Sequence, residues 1–259
     1  MTTIVAVSFG LVIAALLLAY RSRKLSIAAF ARQVTRDAAS PRDAAFALGR
    51  TIFSAVKRGR DPFFLTRLLA PLGASPPDVL RKSGCCSGIH RLYITCLDAI
   101  GVRAAQISVY SAVSVHCLVQ AVIEGERVII DADYGVWYKH PRGGAISLQD
   151  LRAGVVPIVE PFVLDQVASY TDSPRTRSAG YPDTAYYRFD FSQTRTANWT
   201  RSVFRRVIYA ALHRLTKGRV DCLLLPPILE WPEILLTLLL CSGAVLSVVV
   251  KAFYVGVRP

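Results

Sequence analysis

"GCCSGIHRLYITCLDAIG" occupies positions 84–101. Between its bracketing glycines, Ile89, Leu92, Tyr93, Cys96, Leu97 and Ile100 recur at helical steps, an apolar stripe that buries one side of a helix. The spacing predicts a helix that opens at Cys86 and ends at Gly101. The paired thiols of Cys85 and Cys86 at its start raise three options: a disulfide, a metal site or a nucleophile. Adjacent cysteines close only a strained ring. With His90 and His116 they offer a conceivable zinc set, but they lack the gap of about two to four residues that usually separates paired zinc ligands. A nucleophile is the third option, since a helix N-terminus carries positive partial charge and favours a thiolate, and an inert buried thiol is the plainer alternative.

Downstream of Gly101 the pattern changes to short β-branched runs, "AQISVY", "VHCLVQAVI" and "RVIIDADYG", with "EGER" at 124–127 as a hairpin turn. Strands after a helix predict an α+β domain in which an antiparallel sheet packs against the central helix. Two polar residues interrupt the apolar strands. His116 lies within one of them and Asp131 ends the next, and neighbouring antiparallel strands can set them side by side. An imidazole there can take a thiol proton and later return it, and a carboxylate behind it fixes the tautomer. Asp133 is close enough in sequence to be the acid instead.

Upstream, Ser40-Pro41-Arg42-Asp43 reads as an N-cap with proline at the first helical position and an acid in the first turn. Ala45, Phe46, Leu48, Ile52, Phe53 and Val56 then form a broad apolar face, and "GRDP" at 59–62 ends that helix. Ser75 can cap a short helix holding Val79 and Leu80. A further short helix, "SLQDLRAG", is expected from position 147. Residues 165 to about 200, including "YPDTAYYRFDF", read as irregular.

The whole chain has 259 residues, net charge +13 and a hydrophobic fraction of 53%. Its mean hydropathy is +0.37. Such apolar content suggests contact with lipid. The stretches 3–20 and 234–250 carry no charge, and the second can extend to 254 past Lys251. Arg21, Arg23 and Lys24 follow the first, while Arg201, Arg205, Arg206, Arg214, Lys217 and Arg219 precede the second. The expectation is therefore an integral membrane protein of the plasma or inner membrane, with both ends spanning and a cytoplasmic middle domain. The basic residues would touch anionic lipids. A periplasmic enzyme released by signal cleavage is the competing topology. No zinc-finger, RNP-like or recognition-helix pattern argues for nucleic acid. The cysteines other than Cys86, namely Cys85, Cys96, Cys117, Cys222 and Cys241, read as packing or lipid-facing residues in a reducing compartment.

Gly84-Cys85-Cys86 followed by Gly101-Val102-Arg103-Ala104, then His116 and Asp131, resembles the transglutaminase-like superfamily, with its papain-like cysteine hydrolase or acyltransferase core. Its members open a helix with Gly-x-Cys, end it with Gly-Ile-Pro-Ala-Arg, and follow with a His on one strand and an Asp at the end of the next. The likeness covers about residues 78–140. It implies Cys86 as nucleophile, His116 as base and acid, and Asp131 as the orienting acid. A protein or peptide substrate and no cofactor are implied too. The sequence departs from the pattern at Leu118, where an aromatic is usual, at Ala104 after Arg103, where the proline is missing, and at His90, where a small residue is usual.

The expected organisation is a span at 3–20, a helical part at 25–80, a catalytic core at 78–160, an irregular and basic helical extension at 161–225, and a second span at 234–254. The expected function is a membrane-anchored thiol enzyme acting on carboxamide or peptide bonds, by hydrolysis or amine transfer. The alternative is a degenerate module that binds a partner at the membrane.

Overall fold

The helix read from the opening stretch is α4, Cys86–Ala99. It is buried from Gly88 to Leu97, on more than the one apolar stripe. Its end is set by Gly101 at φ +81. Gly101 N–H donates to Asp98 O and Val102 N–H to Leu97 O, the paired closure that a left-handed glycine permits.

A computed structural model describes residues 2–110, 115–162, 190–196, 203–216 and 227–256. Ahead of α4 lie α1 (Thr2–Val34), α2 (Pro41–Ala55), a 3-10 turn (Arg67–Leu72) and α3 (Pro76–Arg81). Ser40 caps α2 by accepting from Asp43 N–H, with Pro41 at the first helical position as expected. Ser75 precedes α3 but does not cap it. Its hydroxyl donates instead to Glu233 Oε1 at 3.3 Å.

Strands β1 (Arg103–Tyr110), β2 (Val115–Ile123), β3 (Glu126–Asp131) and β4 (Val136–Lys139) follow, then α5 (Leu148–Arg152) and β5 (Ile158–Pro161). They form an antiparallel sheet in the order β5-β4-β3-β2-β1-β6. β6 is Asp190–Thr196, in a stretch read from sequence as irregular. Its pairing to β1 is a tertiary event that a polar "DFSQTRT" does not announce. The rest of 165–200, most of "YPDTAYYRFDF", and Cys222 lie outside the described residues. The β2–β3 turn is the two-residue loop Glu124 (φ 53) and Gly125 (φ 84), whose positive angles match the strand twist. Ser147 and Asp150 form a reciprocal capping box on α5. Beyond β6 come α6 (Val203–Leu215), a 3-10 turn (Pro227–Glu230) and α7 (Pro232–Gly256).

Both sheet faces are covered, which explains why the strands read as apolar runs rather than strict alternation. One face carries Val119, Ala121, Ile123, Val128 and Ile130 against Leu92, Tyr93, Cys96 and Leu97 of α4 and Leu48 and Ile52 of α2. The other carries Ile107, Val109, Leu118, Ile129 and Tyr138 against Leu148 and Leu151 of α5. Leu118, the departure from the family pattern, is simply part of this second core.

The expectation of flanking membrane spans is overturned. Among the described residues, no helix is long and apolar enough to cross a membrane. The integral-membrane placement falls with it, as do the spans at 3–20 and 234–254. The physical reason lies in how the polar and apolar parts of these helices are used. α1 runs on through its charged segment to Val34, burying Leu16, Ile27 and Ala31 in the fold. Arg23 reaches Asp78 Oδ2 at 3.1 Å and the buried Glu233 Oε1, at the start of α7, at 3.0 Å. Tyr20 meets Trp231 edge to face at 5.4 Å. The central helix is tied to the same region. Arg91 is fully buried, donating from Nε to Glu230 Oε2 and from Nη1 to Ala74 O.

Candidate active site

The start of α4 is built by tertiary contacts. Lys57–Gly59, just after α2, pairs with Gly84: Gly84 N–H donates to Lys57 O and Gly59 N–H to Gly84 O. That pairing brings Asp61 over the helix start, where its Oδ1 accepts from Cys85 N–H at 2.8 Å. The carboxylate also lies against Gly88, where a side chain would overlap it. A helix whose N-cap residue, Cys85, makes no side-chain cap bond thus takes its cap from a distant loop.

Cys86 is the first residue of α4, as the spacing predicted. Its thiol lies beside those of Cys85 and Cys117, so three thiols cluster there. The Cys117 thiol is the largest influence on Cys86. Cys85 pulls the other way, and burial and Asp133 push up, leaving the Cys86 thiol well above its ordinary value. Cys85 is pushed up too, by the Cys86 thiol, by burial and by the Asp61 charge. The thiolate expected from the helix N-terminus is therefore not the resting form. Asp61 occupies the helix end with a negative charge that offsets the dipole.

His116 and Asp131 come from β2 and β3. Val119 stands opposite Ile130, and continuing that register sets Asp131 one diagonal step from His116, within reach of long side chains. His116 Nε2 and Asp131 Oδ2 are 2.7 Å apart, and both residues are buried. Asp131 Oδ1 accepts from the N–H groups of Asp133 and Tyr134, both at 3.0 Å, in a turn that aspartate favours. Burial opposes the Asp131 charge, but His116 and then His90 outweigh it and hold the carboxyl well below the usual range.

His90 lies one turn into α4, fully buried. Its Nδ1 is 2.6 Å from Cys86 O, and its Nε2 is 3.2 Å from Asp131 Oδ1, a charge contact outside hydrogen-bond alignment. Its ring meets that of His116 edge to face at 5.8 Å. The residue that departs from the family pattern thus lies between the backbone carbonyl of Cys86 and the Asp131 carboxylate.

Asp133, the other acid weighed from the sequence, does not orient an imidazole by hydrogen bond. Its two oxygens are buried without hydrogen-bond partners among the described residues, and Arg58 Nη2 approaches Oδ2 at 3.4 Å. Burial, then the charge of Asp131, raises its pKa. Arg58 also lies over the Tyr134 ring at 5.2 Å, and Tyr134 packs edge to face on His116 at 5.1 Å. Arg58, Asp61, Cys117 and Tyr134 were not legible as site residues. The one sequence cue was the density of charge in "KRGRDP" at 57–62, where a mere helix end needs none. Among the described residues, no group of His, Cys, Asp and Glu could hold a metal ion.

No family model and no curated protein matches the sequence. Two solved structures are similar in part. A candidate cysteine protease from Cytophaga hutchinsonii matches with TM-score 0.37 and 17% identity, over 56% of this chain and 45% of that one. A candidate protease from Parabacteroides distasonis matches with TM-score 0.33 and 16% identity, over 46% of this chain and 25% of that one. The match spans less than half the length of either structure.

Proposed function

We propose that this chain is a thiol enzyme of the transglutaminase-like kind, acting on carboxamide or peptide carbonyls through a thioester on Cys86. The observation that carries the reading is the buried His116–Asp131 pair at 2.7 Å, linked through His90 to the residue that opens α4. Because the Cys86 thiol is protonated at rest, the chemistry needs a base at the moment of attack. With its Nε2 turned to Asp131, His116 has Nδ1 as the atom to receive the thiol proton. Sγ of Cys86 bonds to the carbonyl carbon. The proton on His116 passes to the departing amine, which leaves a thioester. Water or an amine then attacks, gives its proton to His116, and releases Cys86. The N–H of Cys85 is already given to Asp61, so the oxyanion would draw on Cys86 N–H and those after it, which have no intrahelical acceptor at a helix start.

The test is labelling, by a thiol-directed electrophile, of the full chain with Cys222 and the exposed Cys241 replaced by serine. Cys86→Ala should abolish it and Cys85→Ala should leave most of it; equal labelling of the two variants would sink the assignment.

A second reading, a module that binds a partner without catalysis, is favoured by the raised Cys86 thiol alone. The two part at His116→Ala. An enzyme loses its alkylation rate at neutral pH with the base, whereas a binding module keeps it.

A further inference from the structure

The loop that builds the start of α4 also carries apolar side chains that the fold leaves outside. Lys57–Gly59 pairs with Gly84, and Asp61 caps Cys85, so residues 57–61 border the helix start that holds Cys86. Beyond Asp61 the chain reads "PFFLTRL" at 62–68. Phe64 is buried there, whereas Phe63, Leu65 and Leu68 are 52%, 67% and 86% exposed. Single exposed apolar side chains are ordinary, but here they crowd one short loop beside a thiol. The backbone holds them out. Thr66 N–H donates to Phe64 O at 2.7 Å, closing a three-residue turn around Leu65 at φ 58. That turn is the rare, strained kind for a branched side chain. It is occupied with Phe64 inward and its two neighbours outward, and strain of this sort gathers where a chain clamps a ligand.

The same loop is basic. Lys57, Arg58, Arg60 and Arg67 stand in it against one acid, Asp61, which faces Cys85 N–H. Lys82 lies alongside, next to Ser83, whose hydroxyl donates to Arg60 O. Arg58 is turned to Asp133. Lys57, Arg60, Arg67 and Lys82 are exposed, and no carboxylate among the described residues pairs with them. We propose that residues 57–68, with Lys82, are the substrate-docking edge of the site, and that they take an acidic polypeptide segment bearing apolar side chains. This names the substrate class of the proposed thiol enzyme and rests on that reading. Uncompensated cations favour a carboxylate-rich partner. Leu65 and Leu68 offer aliphatic contact rather than a flat face for a base, and the ring of Phe63 already has Arg67 over it at 5.7 Å. A polypeptide therefore suits the loop better than a nucleic acid.

The probe is a fluorescein-labelled random copolymer of glutamate and tyrosine, with labelled polyglutamate beside it. Each is titrated with the full chain and read by fluorescence anisotropy. Arg60→Glu combined with Arg67→Glu should weaken copolymer binding about tenfold. Arg103→Glu combined with Arg127→Glu is the control. Both arginines are exposed and stand beside Val122, at the far end of β2 from His116. That pair should change binding by less than about twofold. Equal losses from the two pairs would mean attraction by net charge alone and would overturn the proposal. Leu65→Asn keeps a residue that accepts a positive φ, so the chain should fold as before. It should cut the preference for the copolymer over polyglutamate about threefold. An unchanged preference would overturn the proposal, as would tighter binding of oligothymidylate or of phosphatidylglycerol vesicles than of the copolymer. None of these readouts needs turnover. A chain that docks the copolymer on this loop while its Cys86 is unreactive keeps the docking edge and loses the proposed function.

Discussion

Asp131 Oδ2 lies 2.7 Å from His116 Nε2, and the aspartate cannot swing away, because its Oδ1 is pinned by the backbone N–H groups of residues 133 and 134. A carboxylate so held has its pKa depressed in the folded chain. Its contribution to stability is therefore full above the unfolded value of about 3.9 and is lost as pH falls below it. Urea midpoints of the wild type should drop steeply below about pH 4. Asp131→Asn should lower stability by about 3 kcal/mol at pH 7, since it removes the buried acid that faces both imidazoles, and should flatten the acid limb. Parallel profiles for the two proteins between pH 6 and 2 would contradict this.

Asp133 has the opposite sign. Its pKa is raised by burial and by Asp131, and Arg58 only partly compensates. Ionising it costs stability as pH climbs above the unfolded carboxylate value. Asp133→Asn should therefore stabilise the chain by about 1 kcal/mol at pH 7, with the gain shrinking toward about pH 4. A loss of stability at pH 7 would show that its charge is instead needed to hold Arg58.

The Cys86 thiol is pushed up first of all by the neighbouring Cys117 thiol. Cys117→Ala removes that partner and should lower the thiol pKa. At fixed pH near 7 the alkylation rate of Cys86 should rise about three- to tenfold, with the pH–rate curve displaced toward acid. An unmoved curve would mean that burial, rather than the neighbouring thiol, sets the value.

Gly88 is required by the cap. A methyl group there would overlap the Asp61 carboxylate that accepts from Cys85 N–H. Gly88→Ala should cost about 1–3 kcal/mol despite the better helix propensity of alanine. In an Asp61→Ala background much of that cost should vanish, because the two changes act on one contact. A thermal denaturation double-mutant cycle checks it; additive losses would rule the coupling out.

The central helix, its start at Cys86 and its end at Gly101 were legible because each is a local matter: helical spacing of Ile89, Leu92, Tyr93 and Cys96, and a left-handed glycine. The β2–β3 hairpin was equally legible in "EGER", and with it the adjacency of His116 and Asp131. The strand β6 was not, because it owes its existence to the edge of β1 rather than to its own residues.

The two apolar ends illustrate the limit best. Read alone, positions 3–20 and 234–254 ask for lipid, because hydropathy does not record what a side chain will meet. In the folded chain each stretch is part of a helix that packs at one end only: Leu16 and Leu235 are buried, while Val7, Leu11, Leu18, Val245 and Leu246 are exposed. The first helix is held further along by Ile27 and Ala31, and by Arg23 paired with Asp78 and Glu233. The site shows the same division. Local pattern determined which residue opens the helix and which strands carry the imidazole and the acid. Only tertiary structure decided the charge state of that residue, because Asp61, Cys117, Asp133 and His90 reach it from distant loops, from a strand and from one helical turn away. A pKa depends on burial and on neighbours in space, and a linear sequence specifies neither directly.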